Sequence, residues 1–180
     1  MEDKNRKVSV KNRSSATVII SIPNRHIRVE LQPGQTITSL TFADVEEFSY
    51  QPGGDTLLRE YLQLAIAEIK DLSLGEPQPE YFYSEEEVKK LLSEGSIDEF
   101  LDCLDFAPTG VIDLIKKFAV SLPLTDTRKL AAIQEKTGFN AAAAIQHDKE
   151  SKTEEEASNA APKRRVTSTT TSTPKRRVIK

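Results

Sequence analysis

Tryptophan is absent from this chain of 180 residues, and cysteine and methionine occur only once each. The single cysteine, Cys103, has no second cysteine with which to form an internal disulfide or a thiolate metal cluster. The two histidines, His26 and His147, lie far apart in the sequence. We therefore expect neither a zinc site nor a cysteine–histidine catalytic pair, and no cofactor.

Long apolar runs are also missing, and the first residues show no positive segment followed by an apolar one. A helix that spans a bilayer needs about 20 apolar residues in succession, and a secretory leader needs an apolar stretch behind a positive start. With 37% hydrophobic and 29% charged residues, we expect a soluble chain that the general secretory route does not export and that has no membrane partner. Its length suits one domain or two small ones.

Charge is distributed unevenly along the chain. The net charge is only −3, but residues 148–180 hold nine Lys or Arg and five Asp or Glu, and residues 162–180 hold seven basic residues and no acidic one. The remainder of the chain is acidic. This asymmetry predicts that the basic end binds nucleic acid, an acidic protein surface or the protein's own acidic body.

The basic end contains one pentapeptide twice. Pro-Lys-Arg-Arg-Val occupies residues 162–166 and again residues 174–178, with only Ser and Thr between the copies. Such a segment buries too little apolar surface to offset its ordering entropy, so we predict that residues 148–180 form a disordered tail. Two weak motifs on one tether raise avidity for a repeated partner. The predicted partner-docking residues are Lys163, Arg164, Arg165, Val166, Lys175, Arg176, Arg177 and Val178.

Three other interpretations of the basic blocks stay open. Seven positive charges in residues 162–180 would neutralise phosphates and bind DNA without sequence specificity. In a eukaryotic cell the same block would act as a nuclear import signal. A tail that only keeps the protein in solution is the simplest alternative, although it gives no reason for the duplication.

The first part of the chain has the period of β-strands. Apolar side chains alternate with polar ones over residues 7–41, for example at Val18, Ile20 and Ile22. Pro33-Gly34 predicts a type II turn. Further along, Thr41 predicts the start of a short helix, and Asp55 or Thr56 the start of a second one that continues to Leu62. Residues 65–69 fit a continuation of this helix or a strand equally well, and we assign residues 1–74 to a β-rich domain.

The second part of the chain has the period and the boundary residues of helices. After a linker at 75–83, capping-box patterns at 84–87 and 96–99 predict two helix starts. Two more helices are expected before Gly138, and an Ala-rich one from Asn140 to about His147. The predicted fold class is α+β, with a β-rich N-terminal domain, a compact helical domain over residues 84–147 and a disordered basic tail.

Few side chains suggest catalysis. Asp98, Asp102 and Asp105 share a helical face and would suit acid–base work or a cation, although exposed helix carboxylates are ordinary. Cys103, placed between leucines, is expected to be a buried structural thiol. We expect His26 to be an exposed histidine in a strand. Residues 130–145 have a weak helix-turn-helix character, for which packing between Ala-rich helices is the simpler interpretation.

Several segments also resemble a known group of proteins. They are Val-Lys-Asn-Arg-Ser at 10–14, Ser-Ile-Pro at 21–23, Pro-Gly-Gln-Thr at 33–36, Ser-Tyr-Gln-Pro-Gly-Gly at 49–54 and the run from Gly95 to Pro108. Together they resemble small proteins that tailed phages and prophages of Gram-positive gut bacteria encode. The resemblance covers about residues 7–147, and the tail is similar only in style.

The resemblance implies a phage protein without catalytic residues, a virion or assembly component. We expect a non-enzymatic structural protein that contacts capsid, neck or portal subunits in many copies, located in the virion and, during assembly, in the host cytoplasm. Nonspecific contact of the tail with DNA is a further expectation. The alternative is a nucleic-acid-binding regulator that uses residues 125–147 together with the tail.

Overall fold

The computed structural model describes residues 4–76 and 78–160. The strands are β1 (Val10–Asn12), β2 (Val18–Ile22), β3 (Ile27–Leu31), β4 (Thr36–Ile37) and β5 (Leu62–Gln63). The helices are α1 (Phe42–Ser49), α2 (Gly54–Thr56), α3 (Ile66–Asp71), α4 (Glu85–Ser93), α5 (Ile97–Phe106), α6 (Thr109–Ser121), α7 (Thr127–Thr137) and α8 (Ala141–Ala160). Strands come first and longer helices follow, which confirms the predicted α+β class.

The strands form two small antiparallel sheets. Strand β1 lies between β4 and β5, and β2 pairs with β3 in a hairpin. The alternation expected from the sequence is present, because the side chains of one face are buried. Gly34 adopts a φ of 72° after Pro33, as a type II turn requires. The buried side chains of this region include Val8, Val10, Val18, Ile20, Ile22, Leu31 and Leu40.

The second predicted helix of this region has a different form. Helix α2 passes into one turn of π-helix, Leu57–Tyr61, and Leu62 then leaves the helix. Leu62 pairs with Asn12 of β1, so the prediction of a helix up to Leu62 is wrong. Leu58 and Leu62 are nevertheless both buried, because the π-helix and the strand place them in the same core. Residues 66–69 belong to α3, a separate helix for which Ala65 is the N-cap, so neither a continuation of the second helix nor a strand is correct for this segment.

The helices begin and end mostly as their capping residues predict. At α4, Ser84 accepts from the Glu87 amide and the Glu87 carboxylate accepts from the Ser84 amide, which confirms the capping box. At α5, Ser96 accepts from the Glu99 amide, 3.1 Å away, and the described bonds include no reciprocal one. Asp126 caps α7, and Gly138 ends it with a φ of 71°.

Helix α8 is longer than the sequence indicates. We expected it to end near His147, but it continues to Ala160, so residues 148–160 are helical although we had placed them in the disordered tail. Good helix formers and side-chain pairs four residues apart explain the difference. Lys152 contacts Asp148 at 2.6 Å, and the Gln146 amide donates to a Glu150 oxygen at 3.0 Å. In the part of the chain that the structure describes, no helix is both long and apolar enough to cross a membrane.

The buried apolar side chains form two separate clusters. One comes from residues 8–74 and the other from residues 88–141. We call residues 4–74 the N-terminal unit and residues 78–160 the helical unit. The predicted linker lies between the two clusters and contains a turn of 3₁₀-helix at Pro79–Tyr81. Direct contact between the units is made where the π-helix meets the start of α6.

Candidate functional site at the joint between the units

The residues predicted to dock on a partner, Lys163–Val166 and Lys175–Val178, lie outside the described residues. The structure therefore neither supports nor contradicts that prediction. The structure does describe the other side chains that the sequence analysis considered for catalysis or DNA binding. It also describes a joint between the two units that the sequence did not reveal.

The three aspartates of α5 do not act together. The Tyr81 hydroxyl donates to a carboxylate oxygen of Asp102 at 3.0 Å, whereas Asp105 forms an ion pair with Lys136 of α7. All three aspartates are exposed to solvent. Among the described residues, no group of three or more His, Cys, Asp or Glu side chains is placed to hold a metal ion. The hypothesis of a shared carboxylate site therefore has no geometric support.

Neither Cys103 nor His26 has the surroundings of a reactive group. Cys103 has no exposed surface, and burial, with smaller effects from Asp102 and Glu99, raises the pKa of its thiol to about 12. A thiol of this kind is not a nucleophile at neutral pH. His26 is exposed as predicted, but it precedes β3 and has a φ of 54°, so its placement within a strand was wrong.

The pair α7–α8 resembles a helix-turn-helix only in its short connection, residues 138–140. The cations of α7 already have partners: Arg128 pairs with Asp126, and Lys136 pairs with Asp105. Lys129 is buried and donates to main-chain carbonyls of α4. A surface that binds phosphates needs cations free to neutralise them, so the pair offers little to a DNA backbone.

The first feature of the joint is a helix cap provided by the other unit. Pro108 precedes α6 and has no side-chain acceptor for the first amides of the helix. Glu60 of the π-helix supplies the missing acceptor, because its Oε2 accepts from both the amide and the hydroxyl of Thr109 at 2.8 Å. A carboxylate at a helix N-terminus also interacts favourably with the helix dipole. The cap of α6 therefore comes from the N-terminal unit.

The second feature is a close approach of main chains at Gly110. A Cβ atom at this position would lie 2.9 Å from the carbonyl oxygen of Glu60, and 3.3 Å from both Cγ of Arg13 and Cα of Tyr61. The first of these distances is shorter than a carbon–oxygen contact allows. Glycine is thus required here by the proximity of the π-helix rather than by a positive φ.

The third feature is a buried arginine. Arg13 follows β1 and is only 6% exposed. Its Nη2 donates to the carbonyl oxygen of Arg59, its guanidinium carbon lies 5.9 Å from the centre of the Phe82 ring, and its buried Nε has no acceptor among the described residues. Burial lowers the pKa of Arg13 to about 10, and the charge of Glu60 opposes this shift. Arg13 nevertheless stays a cation at neutral pH.

Beside Arg13 the two units border a pocket of about 500 Å³ that is open to solvent on one side. Leucines of the N-terminal unit, none more than 6% exposed, lie behind its wall and present almost no surface to it, and Phe82 and Phe106 come from the helical side. Phe106 is 58% exposed and stacks on Tyr81, with ring centroids 6.1 Å apart. Cavities of this size between structural units are common places for small ligands. The leucines are Leu58, Leu62, Leu64 and Leu74.

Sequence reasoning missed this joint because Arg13, Glu60 and Gly110 are far apart in the chain and each is ordinary in its own segment. Arg13 follows a short strand, where an arginine is ordinary. The sequence Pro108-Thr109-Gly110 gave the only signal, since it opens a helix without a capping side chain. That signal does not identify Glu60 as the residue that provides the cap.

Comparisons with family models, with curated proteins and with solved structures found no match to this chain. Its function must therefore be argued from its own residues.

Proposed function

We propose that this protein is a non-enzymatic structural or assembly component of a tailed-phage virion, associated with capsid, neck or portal subunits. The observation that carries the proposal is the duplicated Pro-Lys-Arg-Arg-Val block at 162–166 and 174–178, behind an otherwise acidic chain. In this proposal the folded units pack against neighbouring subunits. The two blocks bind a repeated acidic surface, and the phage context comes from the sequence resemblance alone.

Features of the described residues support a binding role over a catalytic one. Asp102 and Asp105 have separate partners, Cys103 is buried, and the described residues include no cluster of metal-binding side chains. The described cations of α7 are engaged in contacts within the protein. A specific DNA-binding role of residues 125–147 is thus the weaker alternative.

The test is mass spectrometry of gradient-purified particles that contain the full-length protein, a chain truncated after Ala161, or chains with one or both Lys-Arg-Arg sequences replaced by Ser. We expect many copies of the full-length protein, a partial loss when one block is replaced and a near-complete loss when both are, because two linked sites bind with avidity. A scrambled order of residues 167–173 is the control and should leave incorporation unchanged.

Absence of the full-length protein from particles would overturn the proposal. In that case the regulator alternative predicts duplex DNA binding that survives truncation after Ala161. If truncation abolishes all DNA binding, only nonspecific electrostatic attraction by the basic blocks is left, and the regulator alternative also fails.

A further inference from the structure

We propose that an exposed face of helix α5 binds the Lys-Arg-Arg sequences of a second copy of this chain. We define this α5 face by Asp102, Asp105 and Phe106 of the helix and by Tyr81 beside it. The inference rests on the docking role proposed above for the basic blocks, and it names the acidic surface that they bind. It is carried by an exposed pair of aromatic rings, by the carboxylates next to them and by the position at which helix α8 ends.

The aromatic part of the α5 face is the first argument. Phe106 is 58% exposed, and its ring stacks on the ring of Tyr81 with centroids 6.1 Å apart. Elsewhere in the protein a cation lies over an aromatic ring, as Arg6 does at 4.2 Å from the centre of the Phe42 ring. Among the described residues, no cation lies over Phe106 or Tyr81. The stacked rings therefore present a surface that an arginine guanidinium can cover.

The carboxylates of the α5 face are the second argument. Asp102 and Asp105 are exposed, and the exposed Glu80 precedes Tyr81 in the chain. The Tyr81 hydroxyl donates to Oδ2 of Asp102, and the described bonds include no donor to Oδ1. Lys136 is the described cation that pairs with this face, through Asp105. The same face of another copy would bring like charges together, so the complementary partner is a basic one.

The chain itself contains a segment with the complementary chemistry. Residues 162–180 hold seven basic residues and no acidic one, with Lys-Arg-Arg at 163–165 and again at 175–177. A planar guanidinium can stack on an aromatic ring and also donate two parallel hydrogen bonds to a carboxylate. A face that combines rings with carboxylates therefore suits arginine better than lysine.

The length of α8 identifies a second copy as the partner. Lys136, near the end of α7, pairs with Asp105, near the end of α5, and α8 begins a few residues later at Ala141. The 20 residues of α8 extend for about 30 Å, so Ala160 lies far from this end of the helical unit. The chain from Ala160 to Lys163 spans at most about 10 Å. The first block is therefore presented to neighbouring copies rather than to its own α5 face, and such contacts join chains head to tail.

The test is sedimentation velocity of the full chain, treated with nuclease to remove nucleic acid, over a series of protein concentrations. We expect the native chain to self-associate, and we expect a monomer when both Lys-Arg-Arg sequences are replaced by Ser. Replacement of the four block arginines by lysine keeps the charge but removes the planar fork. It should weaken association about fivefold.

Variants of the α5 face distinguish it from general attraction to an acidic protein. Phe106→Ala should weaken association about fivefold or more, because it removes a ring on which a guanidinium stacks. Asp102→Asn, which removes a carboxylate of the face, should weaken it as well. Two matched controls should leave association unchanged: Tyr50→Ala removes a ring that is 81% exposed, and Glu30→Gln removes an exposed carboxylate of β3.

The inference is overturned if the native chain stays monomeric, if the chain without its Lys-Arg-Arg sequences associates like the native one, if the lysine variant does so, or if Phe106→Ala behaves like Tyr50→Ala. Any of these results together with block-dependent incorporation into particles would leave the virion proposal in place, with the acidic surface on another subunit. Self-association through the α5 face of a protein that is absent from particles would support the inference and overturn the virion proposal.

Discussion

The buried cations among the described residues, Lys129 and Arg13, lie in different places and make different numbers of hydrogen bonds. Lys129 is inside the helical unit and 3% exposed, and its ammonium group donates to the carbonyl oxygens of Leu91 and Leu92 at 2.8 and 2.9 Å. Arg13 lies at the joint between the units, where it makes one described hydrogen bond to a carbonyl and leaves Nε without an acceptor.

The difference is one between a contact within one unit and a contact at the joint between the units. Lys129 closes the end of α4, where main-chain carbonyls run out of intrahelical donors, and so connects α7 to α4. It also lies 5.6 Å from the centre of the Phe100 ring. Arg13 borders the pocket between the units, and its buried Nε has no acceptor among the described residues.

Removal of the satisfied cation should have the largest effect on stability. Lys129→Ala leaves a cavity and deprives the Leu92 carbonyl of its donor, so we expect a loss of about 2–4 kcal/mol in the free energy of unfolding. Lys129→Met keeps most of the volume and should lose less. Urea denaturation followed by circular dichroism measures both, and an Ala variant within about 0.5 kcal/mol of the wild type would contradict the assignment.

Loosening the joint between the units should have the next largest effect. Gly110→Ala places a methyl group 2.9 Å from the Glu60 carbonyl oxygen and pushes α6 away from the π-helix. We expect a loss of about 1–2 kcal/mol by the same denaturation experiment. An unconstrained helical glycine gives the opposite sign, a gain of roughly 0.5–1 kcal/mol on replacement by alanine. The sign of the change therefore decides whether the close approach exists.

The difference between contacts within one segment and contacts between distant segments explains which parts of the fold were predictable from the sequence. The capping box at Ser84, the end of α7 at Gly138 and the alternating strands depend on residues close together in the chain, and the structure has them. The exit of Leu62 from its helix depends on pairing with Asn12, fifty residues earlier. The local sequence pattern does not reveal this pairing, because Leu62 would be buried in either a helix or a strand.

The candidate site was not predictable for a related reason. Arg13, Glu60 and Gly110 come from a turn, a π-helix and a helix start, and each is ordinary in its own segment. They meet only because the two units pack at this point. In contrast, the basic blocks are visible in sequence because their repetition is local, and the structure describes nothing at those positions.

The cap that Glu60 provides and the cap that Ser84 provides can be compared directly. Glu60→Ala removes the acceptor for the first amide of α6, and Ser84→Ala removes the local acceptor at α4, each at a cost of about 1 kcal/mol. Only Glu60→Ala should also leave the Thr109 amide without its acceptor, which faster amide exchange at Thr109 would show. Glu60→Gln keeps an oxygen acceptor and should lose less. Equal exchange at Thr109 in both alanine variants would exclude a cap from the other unit.

The smallest expected effect is the pH dependence of the stability that the Ser84–Glu87 capping box contributes. Hydrogen bonds from the Ser84 amide, at 2.7 Å, and from its hydroxyl hold the pKa of Glu87 below its ordinary value of 4.5. Since the folded pKa is the lower one, this stabilisation is present above the ordinary value and is lost as the pH falls through the folded pKa. Glu87 lies at the surface, so solvent screening keeps the contribution small.

A titration of the Glu87 side-chain carboxyl by NMR measures the effect directly. In Ser84→Ala the hydroxyl bond is lost and the amide bond weakens, so the pKa should rise toward 4.5. Ser96→Ala is the matched control, because Ser96 caps α5 without contacting Glu87 and should leave its pKa unchanged. If Ser84→Ala leaves the pKa of Glu87 where it is in the wild type, the low value has a source outside the capping box. The start of α4 would then depend, like that of α6, on groups that are distant in the chain.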